Sequence, residues 1–283
     1  MQTTFPAGAA FAVHDDAFLD VLGPAPRLEL VVETDAHEGP VYVAADDALY
    51  FTTVPRPDGP LVAIRRLDLA VRAVTTVRED ANAANGMTLA PDGRLLVCEQ
   101  GSMSRRAGLT LVDGASGRAE TLVDAWRGLP LNSPNDVVGK TDGTVWFTDP
   151  SYGALQGFRP PPRLPDRVYR YDPSTGALDV AADGFDKPNG LAFSPDEGTL
   201  YVGDSGAIHA PGDYDPDRPR GVAAFDVSGG ARPRTSRNAS SWTANAAPVG
   251  SVVSMTAMPS RARAPRARAA RGGTPRRTSG TAG

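Results

Sequence analysis

Four oxygen-bearing side chains stand at the head of similar segments of the sequence. They are the carboxylate of Glu38 and the amides of Asn85, Asn135 and Asn189, and they follow one another at steps of 47, 50 and 54 residues. Carboxylate and amide oxygens are ligands that a calcium-like ion prefers. The histidine and cysteine that bind zinc or copper are absent from these four positions. The pattern predicts a site for a divalent cation, provided that the fold brings the four lead residues together.

A simpler interpretation remains open for each asparagine. Asparagine before glycine or aspartate commonly forms turns, so any one of the three could simply end a strand. Asn85 has the weakest claim to a special role, because Ala84 precedes it where proline precedes Asn135 and Asn189. The recurrence of all four residues at one phase of a repeat favours the ligand interpretation.

Each lead residue begins a repeat of strands and turns. An apolar strand, a turn such as Pro91-Asp92-Gly93 or Thr141-Asp142-Gly143, and a second apolar strand follow one another, and two outer strands complete the copy. A period near fifty with four strands is typical of a propeller blade. We therefore predict an all-β fold, a β-propeller of four-stranded blades, of which about four can be recognised. The innermost strands of a propeller start at the same end of the channel, which would bring the lead residues together.

The sequence predicts three parts. Residues 1–26 form an N-terminal segment with a short helix, residues 27–230 form blades one to four, and residues 231–283 form a tail rich in Arg, Ala and Pro. A strand over Leu28–Glu33 would precede the first blade and would suit a propeller that closes by pairing its chain ends.

The tail differs sharply from the rest of the chain. Residues 1–230 carry 19 Lys and Arg against 33 Asp and Glu, whereas residues 231–283 carry ten Arg and no acid. The tail also lacks Leu, Ile, Phe and Tyr, so it cannot bury enough apolar area to offset chain entropy. Three interpretations remain: a disordered extension, a nucleic-acid-binding arm without aromatic stacking residues, and a shifted reading frame in a GC-rich gene. We favour the shifted frame, because the repeat breaks off within a blade.

Composition also bears on the cellular compartment. Cys98 is the only cysteine, so no intrachain disulfide can form, as is usual in a reducing compartment. No basic segment precedes an apolar run near Met1, so no signal peptide and no transmembrane helix are predicted. We expect a soluble, cytoplasmic protein that has neither a membrane nor a nucleic acid as its partner.

Four segments carry a specific family resemblance: Glu38-Gly-Pro, Ser133-Pro-Asn-Asp-Val-Val, the run from Trp146 to Gly153, and the run from Lys187 to Asp196. They resemble the SMP-30/gluconolactonase/luciferin-regenerating-enzyme-like family of six-bladed propeller hydrolases, over about residues 25–228. The resemblance implies one divalent cation, usually Ca²⁺, with Glu38, Asn135 and Asn189 as its ligands. The family's fourth ligand and usual general base is a fifth-blade aspartate, which has no counterpart in this sequence. No catalytic residue is therefore assigned.

The resemblance also implies the reaction, which is hydrolysis of a small-molecule lactone. The cation would polarise the ring carbonyl while a carboxylate accepts a proton from the attacking water. Some family members bind a sugar lactone through an arginine at the position of Ser133, so sugar specificity stays open. The candidate substrate contacts are Asn85, Asp136, Asp149 and His209. The two aspartates, like Asp204, could instead accept hydrogen bonds at strand ends, and His209 could be a surface residue.

Two other functions remain open. Only about four blades are recognisable where the family has six, so the chain could be a truncated and inactive propeller with open sheet edges. It could also be a binding scaffold without enzymatic activity, whose basic tail contacts an acidic partner. The sequence does not indicate the lactone, the ion bound in the cell, or the oligomeric state.

Overall fold

The computed structural model describes residues 30–56, 61–210, 212–227 and 234–238. These residues form almost only strands, arranged as four antiparallel four-stranded sheets and two short two-stranded ribbons. The four sheets are the blades of a β-propeller, so the predicted fold class is confirmed.

The strands follow one another along the chain in blade order. Blade one comprises β1 (Ala36–Val43), β2 (Ala48–Thr53), β3 (Ile64–Asp68) and β4 (Ala73–Arg78). Blade two comprises β5 (Ala84–Leu89), β6 (Leu95–Glu99), β7 (Gly108–Val112) and β8 (Ala119–Val123). A ribbon of β9 (Ala125–Trp126) and β10 (Leu129–Pro130) leads to the next blade.

Blade three comprises β11 (Val137–Gly139), β12 (Val145–Asp149), β13 (Arg167–Asp172) and β14 (Ala177–Ala182), with the one-turn helix α1 (Tyr152–Leu155) between β12 and β13. Blade four comprises β15 (Pro188–Phe193), β16 (Thr199–Asp204), β19 (Gly221–Asp226) and β20 (Arg234–Asn238). A second ribbon, β17 (Ile208–Ala210) with β18 (Asp213–Tyr214), lies between β16 and β19 in the chain.

The hairpins form at the predicted turns. Gly93 and Gly143 each have a φ of +86°, a left-handed conformation that glycine adopts without a steric penalty. The Gly93 N–H donates to the carbonyl of Ala90 at 3.0 Å, and the Gly143 N–H donates to that of Lys140 at 2.9 Å. Both Asp-Gly turns therefore connect the first and second strands of their blades, as the sequence predicts.

Alternation along the strands builds the core. Leu95 and Val97 of β6 pack towards blade one, whereas Leu96 and Cys98 of the same strand pack towards blade three. Because neighbouring residues of a strand face opposite sides of the sheet, an inner blade buries both faces. A third apolar layer joins blades three and four, where Trp146 meets residues such as Leu200.

Two predictions about strands are wrong. Residues 30–33 of the predicted strand Leu28–Glu33 are not in a strand, and no described strand lies beside them to supply hydrogen bonds. In contrast, Arg234–Asn238 in the predicted strandless tail form β20, which pairs with β19. Main-chain pairing does not require apolar side chains, so composition alone did not reveal β20. The predicted N-terminal helix and the rest of the tail lie outside the described residues.

The described residues contain no helix that is both long and apolar enough to cross a membrane. The only helix among them, α1, has four residues.

Neighbouring residues of β16 test the blade-packing arrangement. Leu200 is fully buried between blades three and four, whereas 40% of Tyr201 is exposed on the opposite face. We expect Leu200→Ala to lower the free energy of unfolding by about 2–5 kcal/mol, because it leaves a cavity in the layer. Tyr201→Ala, the matched control, should change it by no more than about 0.5 kcal/mol. Urea denaturation measures both, and equal losses would contradict the assigned faces.

Candidate metal and substrate site

The four lead residues form a row across the four blades. Glu38, Asn85 and Asn189 lie in the innermost strands β1, β5 and β15, and Asn135 lies two residues before the innermost strand β11. These strands pack in blade order, β1 against β5, β5 against β11, and β11 against β15. The structure therefore brings the starts of the four repeats together, as the propeller prediction requires.

Hydrogen bonds to the main chain of the lead residues tie the row together. The Thr52 hydroxyl lies 3.0 Å from the carbonyl oxygen of Glu38 and 3.2 Å from that of Asn85. The Gly86 N–H donates to the carbonyl of Asn135 at 2.7 Å. The hydroxyl of a second threonine, Thr148, lies 2.8 Å from the carbonyl oxygen of Asn189. The Thr52–Glu38 contact lies within blade one, and the other three join consecutive blades.

The two threonines occupy the same position in their blades. Thr52 follows Phe51 in β2, Thr148 follows Phe147 in β12, and both threonines are fully buried. Thr148 also accepts the N–H of Asp136 at 3.1 Å. The lead residues alone did not predict a role for these threonines, although the two Phe-Thr pairs stand at the same phase of the repeat.

Glycines after the lead residues allow the blades to approach. A β-carbon at Gly39 would lie 2.6 Å from the carbonyl oxygen of Asn85, and one at Gly86 would lie 2.5 Å from the Asp136 Oδ1. Both distances are far shorter than a van der Waals contact, so a larger residue would push the blades apart. The glycines of Glu38-Gly39 and Asn85-Gly86 therefore serve close packing of the row.

The side chains of the lead residues remain available as ligands. Within the described part of the chain, the amides of Asn85 and Asn135 make no hydrogen bond. The Asn189 Nδ2 donates to the Tyr152 hydroxyl at 3.4 Å, which is a long hydrogen bond. Their amide oxygens are thus free to bind a cation. That Glu38, Asn135 and Asn189 do so stays a prediction.

Two carboxylates at this row, those of Glu38 and Asp136, interact electrostatically. Asp136 accepts the N–H of Val137 at 2.9 Å and the N–H of Leu191 at 3.1 Å, and so links blade three to blade four. Burial raises the pKa of Asp136 to about 6. Burial and, in addition, the negative charge of Asp136 raise the pKa of Glu38 to about 7.

The chemistry of this donor set fits a cation. A bound divalent cation would offset the mutual repulsion of the Glu38 and Asp136 carboxylates and their loss of hydration. Within the described residues, no group of three or more His, Cys, Asp and Glu side chains could hold a metal ion. Any cation here therefore depends on amide oxygens in addition to carboxylates, as the lead residues suggest.

Asp149 and Asp204 hold the backbone that precedes two of the lead residues. Asp149 accepts the N–H groups of Asn132 and Ser133 at 2.9 and 2.8 Å. Asp204 accepts those of Asp186 and Lys187 at 3.0 and 2.9 Å. Asp149 is fully buried, and its assignment as a substrate contact stays a prediction. The structure supports the alternative of a strand-end acceptor for both aspartates.

A buried arginine that the sequence analysis missed fixes the loops above Asn135. The Arg159 guanidinium donates to four main-chain carbonyls at 2.9–3.1 Å, those of Ser102, Arg105, Leu131 and Asn132. Its side chain packs against Gly153, whose N–H donates to the Ser133 hydroxyl at 2.9 Å. No local sequence pattern marks Arg159, because all four acceptors lie far from it in the chain.

His209 lies in a charged cluster next to Asn189. The Lys187 Nζ contacts the Asp166 Oδ2 at 2.8 Å and the Asp186 Oδ1 at 3.0 Å, and the lysine is buried. The His209 Nε2 lies 3.2 Å from the same Asp186 oxygen. His209 is therefore held towards the protein by Asp186, and its role as a substrate contact stays a prediction, as do those of Asn85 and Asp136.

Comparison with known proteins gives consistent matches. The family model described as SMP-30/Gluconolactonase/LRE-like region matches residues 36–221. The chain is 32% identical to a gluconolactonase of Zymomonas mobilis over 205 residues, 69% of this chain and 55% of the relative. It is 31% identical to the lactonohydrolase oryL of Aspergillus oryzae over 197 residues, 66% of this chain and 45% of the relative. The chain thus spans about half the length of these curated relatives.

A solved structure agrees with these matches. The gluconolactonase XC5397 of Xanthomonas campestris superposes with a TM-score of 0.64 at 33% sequence identity. The superposition covers 79% of this chain and 69% of that protein.

Removing the Thr148 hydroxyl tests the hydrogen-bonded row. Thr148→Val keeps the shape of the side chain but leaves the Asn189 carbonyl and the Asp136 N–H without this partner. We expect the free energy of unfolding to fall by about 1–3 kcal/mol in urea denaturation. Thr110→Val is the control, because Thr110 is also buried and its hydroxyl has no hydrogen-bond partner in the described residues. If both variants behave alike, the Thr148 bonds do not stabilise the row.

The pH dependence of stability tests the burial of Asp149. Burial outweighs the two N–H groups that Asp149 accepts and raises its pKa from 3.8 to about 7. In this range the folded protein holds the proton that the unfolded chain releases, so the stabilisation present below pH 4 is lost as the pH rises to 7. We expect unfolding free energies of the parent protein to fall more between pH 5 and pH 8 than those of Asp149→Asn.

The control for this experiment is Asp196→Asn. Asp196 is exposed, and hydrogen bonds from Ser194 and Gly198 lower its pKa, so its contribution has the opposite sign. The slope of stability with pH should therefore not become shallower in Asp196→Asn. An unchanged slope in Asp149→Asn would show that Asp149 is ionised in the folded protein.

Proposed function

The chain belongs to the SMP-30/gluconolactonase/LRE-like family, and we propose that the protein hydrolyses a lactone at the end of the channel where the lead residues lie. The observation that carries this proposal is the hydrogen-bonded row, which sets one carboxylate and three amides side by side on four consecutive blades. Relatives named gluconolactonase and lactonohydrolase support the reaction class.

We propose that Glu38, Asn135 and Asn189 hold a divalent cation, with Ca²⁺ as the first candidate. Their oxygens are the type of donor that Ca²⁺ prefers, and the Glu38 carboxylate lies close enough to Asp136 to feel its charge. When bound, the cation would polarise the ring carbonyl of the lactone and stabilise the negative charge that develops on its oxygen.

The reaction also needs a group that takes a proton from water. The water oxygen forms a bond to the carbonyl carbon, the ring C–O bond breaks, and the leaving oxygen gains a proton to give a hydroxy acid. Asp136 is our candidate acceptor, because it directly follows the lead residue Asn135 and each of its oxygens accepts one N–H, which leaves a further lone pair on each. The two hydrogen bonds hold the carboxylate in a fixed orientation, which favours proton transfer.

Hydrolysis is tested with a pH-stat on a panel of glucono-δ-lactone and γ-alkyl lactones. We expect base uptake in the presence of Ca²⁺, its loss on addition of EGTA, and its return with excess Ca²⁺. Uptake that is insensitive to EGTA would contradict the role of the cation. No uptake with any lactone in the presence of Ca²⁺ or another divalent ion would favour the inactive-propeller or scaffold alternative.

Glu38→Gln tests the ligand row with a readout besides activity. A ligand that binds only the folded state raises the free energy of unfolding, and the gain grows with the logarithm of the ligand concentration once this exceeds the Kd. Ca²⁺ should therefore raise the melting temperature of the parent protein. We expect Glu38→Gln to abolish this rise at the same Ca²⁺ concentration and to reduce hydrolysis at least about tenfold. Glu120→Gln, which changes an exposed glutamate that bonds to Arg94, should behave like the parent protein. Equal Ca²⁺ shifts in all three proteins would contradict the ligand assignment.

A further inference from the structure

Large apolar side chains are exposed on the loops at one end of the propeller. In each blade the loop between the second and third strands lies at the channel end where the lead residues lie, because the second strand runs antiparallel to the first. Each of these four loops exposes at least one large apolar side chain in its described part. Their exposed fractions are 51% for Val54, 70% for Met103, 47% for Leu155, 48% for Ile208 and 58% for Tyr214.

The hairpins at the opposite end are different. They are short turns that consist mainly of aspartate, glycine and other polar residues, such as Thr141-Asp142-Gly143. Among the described turns of that end, only the one between β3 and β4 exposes a large apolar side chain, that of Val71. Scattered exposed apolar residues are normal on a protein surface, but their concentration at the channel mouth suggests a binding surface.

The loops of blades two, three and four form a continuous surface. Arg159 follows α1 and donates to the carbonyls of Ser102 and Arg105, on either side of Met103. Helix α1 packs against β17 of blade four. The first residue of α1, Tyr152, lies within 3.4 Å of the lead residue Asn189, and Leu155 is the last residue of the same helical turn.

The β17–β18 ribbon contributes an apolar face. Ile208 and Tyr214 are directly opposite each other in the antiparallel pair, so their side chains lie on the same face of the ribbon. The His209 side chain instead points to the protein, where its Nε2 lies 3.2 Å from the Asp186 Oδ1. The ribbon therefore turns its polar face to the protein and leaves its apolar face exposed.

Two polar side chains near this surface, those of Arg159 and Ser133, are already engaged. Arg159 donates to four carbonyls, and the Ser133 hydroxyl, which is 1% exposed, accepts the N–H of Gly153. Neither residue is positioned to donate a hydrogen bond to a hydroxylated substrate at the mouth. A substrate hydroxyl that lies against these two residues would lose hydration without gaining a hydrogen bond from them, which carries a cost.

We propose that Met103, Leu155, Ile208 and Tyr214 form an apolar rim that binds an aliphatic substituent of the substrate. This inference rests on the lactone hydrolysis proposed above. The preferred substrates are then alkyl- or acyl-substituted lactones, whose polar ring enters the channel while the chain lies along the rim. Burial of a methylene group favours binding by up to about fourfold, and a partly exposed rim should give about twofold per methylene.

The test compares lactones that differ only in chain length. We expect kcat/KM to rise from γ-butyrolactone through γ-octalactone to γ-decalactone by about twofold per methylene, and to exceed that for glucono-δ-lactone. The combined variant Met103→Ser, Leu155→Ser, Ile208→Ser should flatten this dependence while leaving kcat/KM for γ-butyrolactone within about twofold. Val71→Ser, which changes an equally exposed apolar residue at the opposite end, is the matched control and should retain the full dependence.

Binding measurements separate this inference from the proposed reaction. The corresponding γ-alkyl lactams resist hydrolysis, and calorimetry gives their Kd for the full-length parent protein and the rim variant. Affinity that rises with chain length only in the parent protein supports the rim even if no lactone is hydrolysed. Turnover or lactam affinity that is independent of chain length overturns the rim and leaves the lactone hydrolysis in place.

A lipid surface is the competing occupant of the same residues. Sedimentation with phosphatidylcholine vesicles distinguishes it from a substrate chain. If the parent protein binds vesicles, the rim variant does not, and chain-length dependence is the same in both, the rim contacts lipid and the proposal is overturned. Equal vesicle binding by both proteins together with a flattened chain-length dependence in the variant supports the proposal.

Discussion

The hydrogen bonds between consecutive blades at the lead residues are the constraint on which the candidate site depends. The carbonyl of each lead residue needs a donor once the stacked blades exclude water from it. Thr52 and Thr148 supply a hydroxyl from the second strand of their blade, and Gly86 supplies a main-chain N–H between blades two and three. The hydrogen bonds that satisfy the main chain of the lead residues therefore also fix the spacing of their four side chains. Packing and site geometry are not independent here.

This arrangement places negative charge where water is excluded, which has an energetic cost. Asp136, Asp149 and Glu38 all have raised pKa values, and burial is the leading cause in each case. For Asp149 the cost is offset in part by two main-chain N–H groups, because they replace hydrogen bonds to water that the carboxylate has lost. Glu38 has less compensation and a second carboxylate nearby. A cation at the lead residues would remove this unfavourable charge, so the electrostatics and the donor types point to the same ligand.

Much of the fold could be predicted from the sequence because a blade is a local unit. The strands and Asp-Gly turns around Gly93 and Gly143 follow from nearby residues, and the period near fifty aligns Glu38, Asn85, Asn135 and Asn189. Arg159 could not be found in this way, since its four acceptors come from two loops that only the fold brings to it. The main-chain hydrogen bonds of Asp149 could not be predicted for a similar reason. Repeat phase placed it at the end of a strand, but phase does not reveal whether a carboxylate faces the channel or the backbone beside it.

An ion pair, in addition to the hydrogen-bonded row, holds blade four against blade three. The bond from the Thr148 hydroxyl joins blade three to the carbonyl of Asn189, so Asn189 is held from the side of blade three. Its neighbour Lys187 reaches Asp166 of the preceding blade, and both side chains of this pair are more than 90% buried.

A buried ion pair of this kind adds little net stability, because both charges lose hydration, but it strongly penalises any arrangement that separates the partners. Apolar contacts such as that of Trp146 with Phe193 supply attraction between these blades without a fixed register. The Lys187 pair instead specifies one relative position of blades three and four. The position of Asn189 relative to Asn135 therefore depends on this ion pair and not only on the strength of the apolar packing.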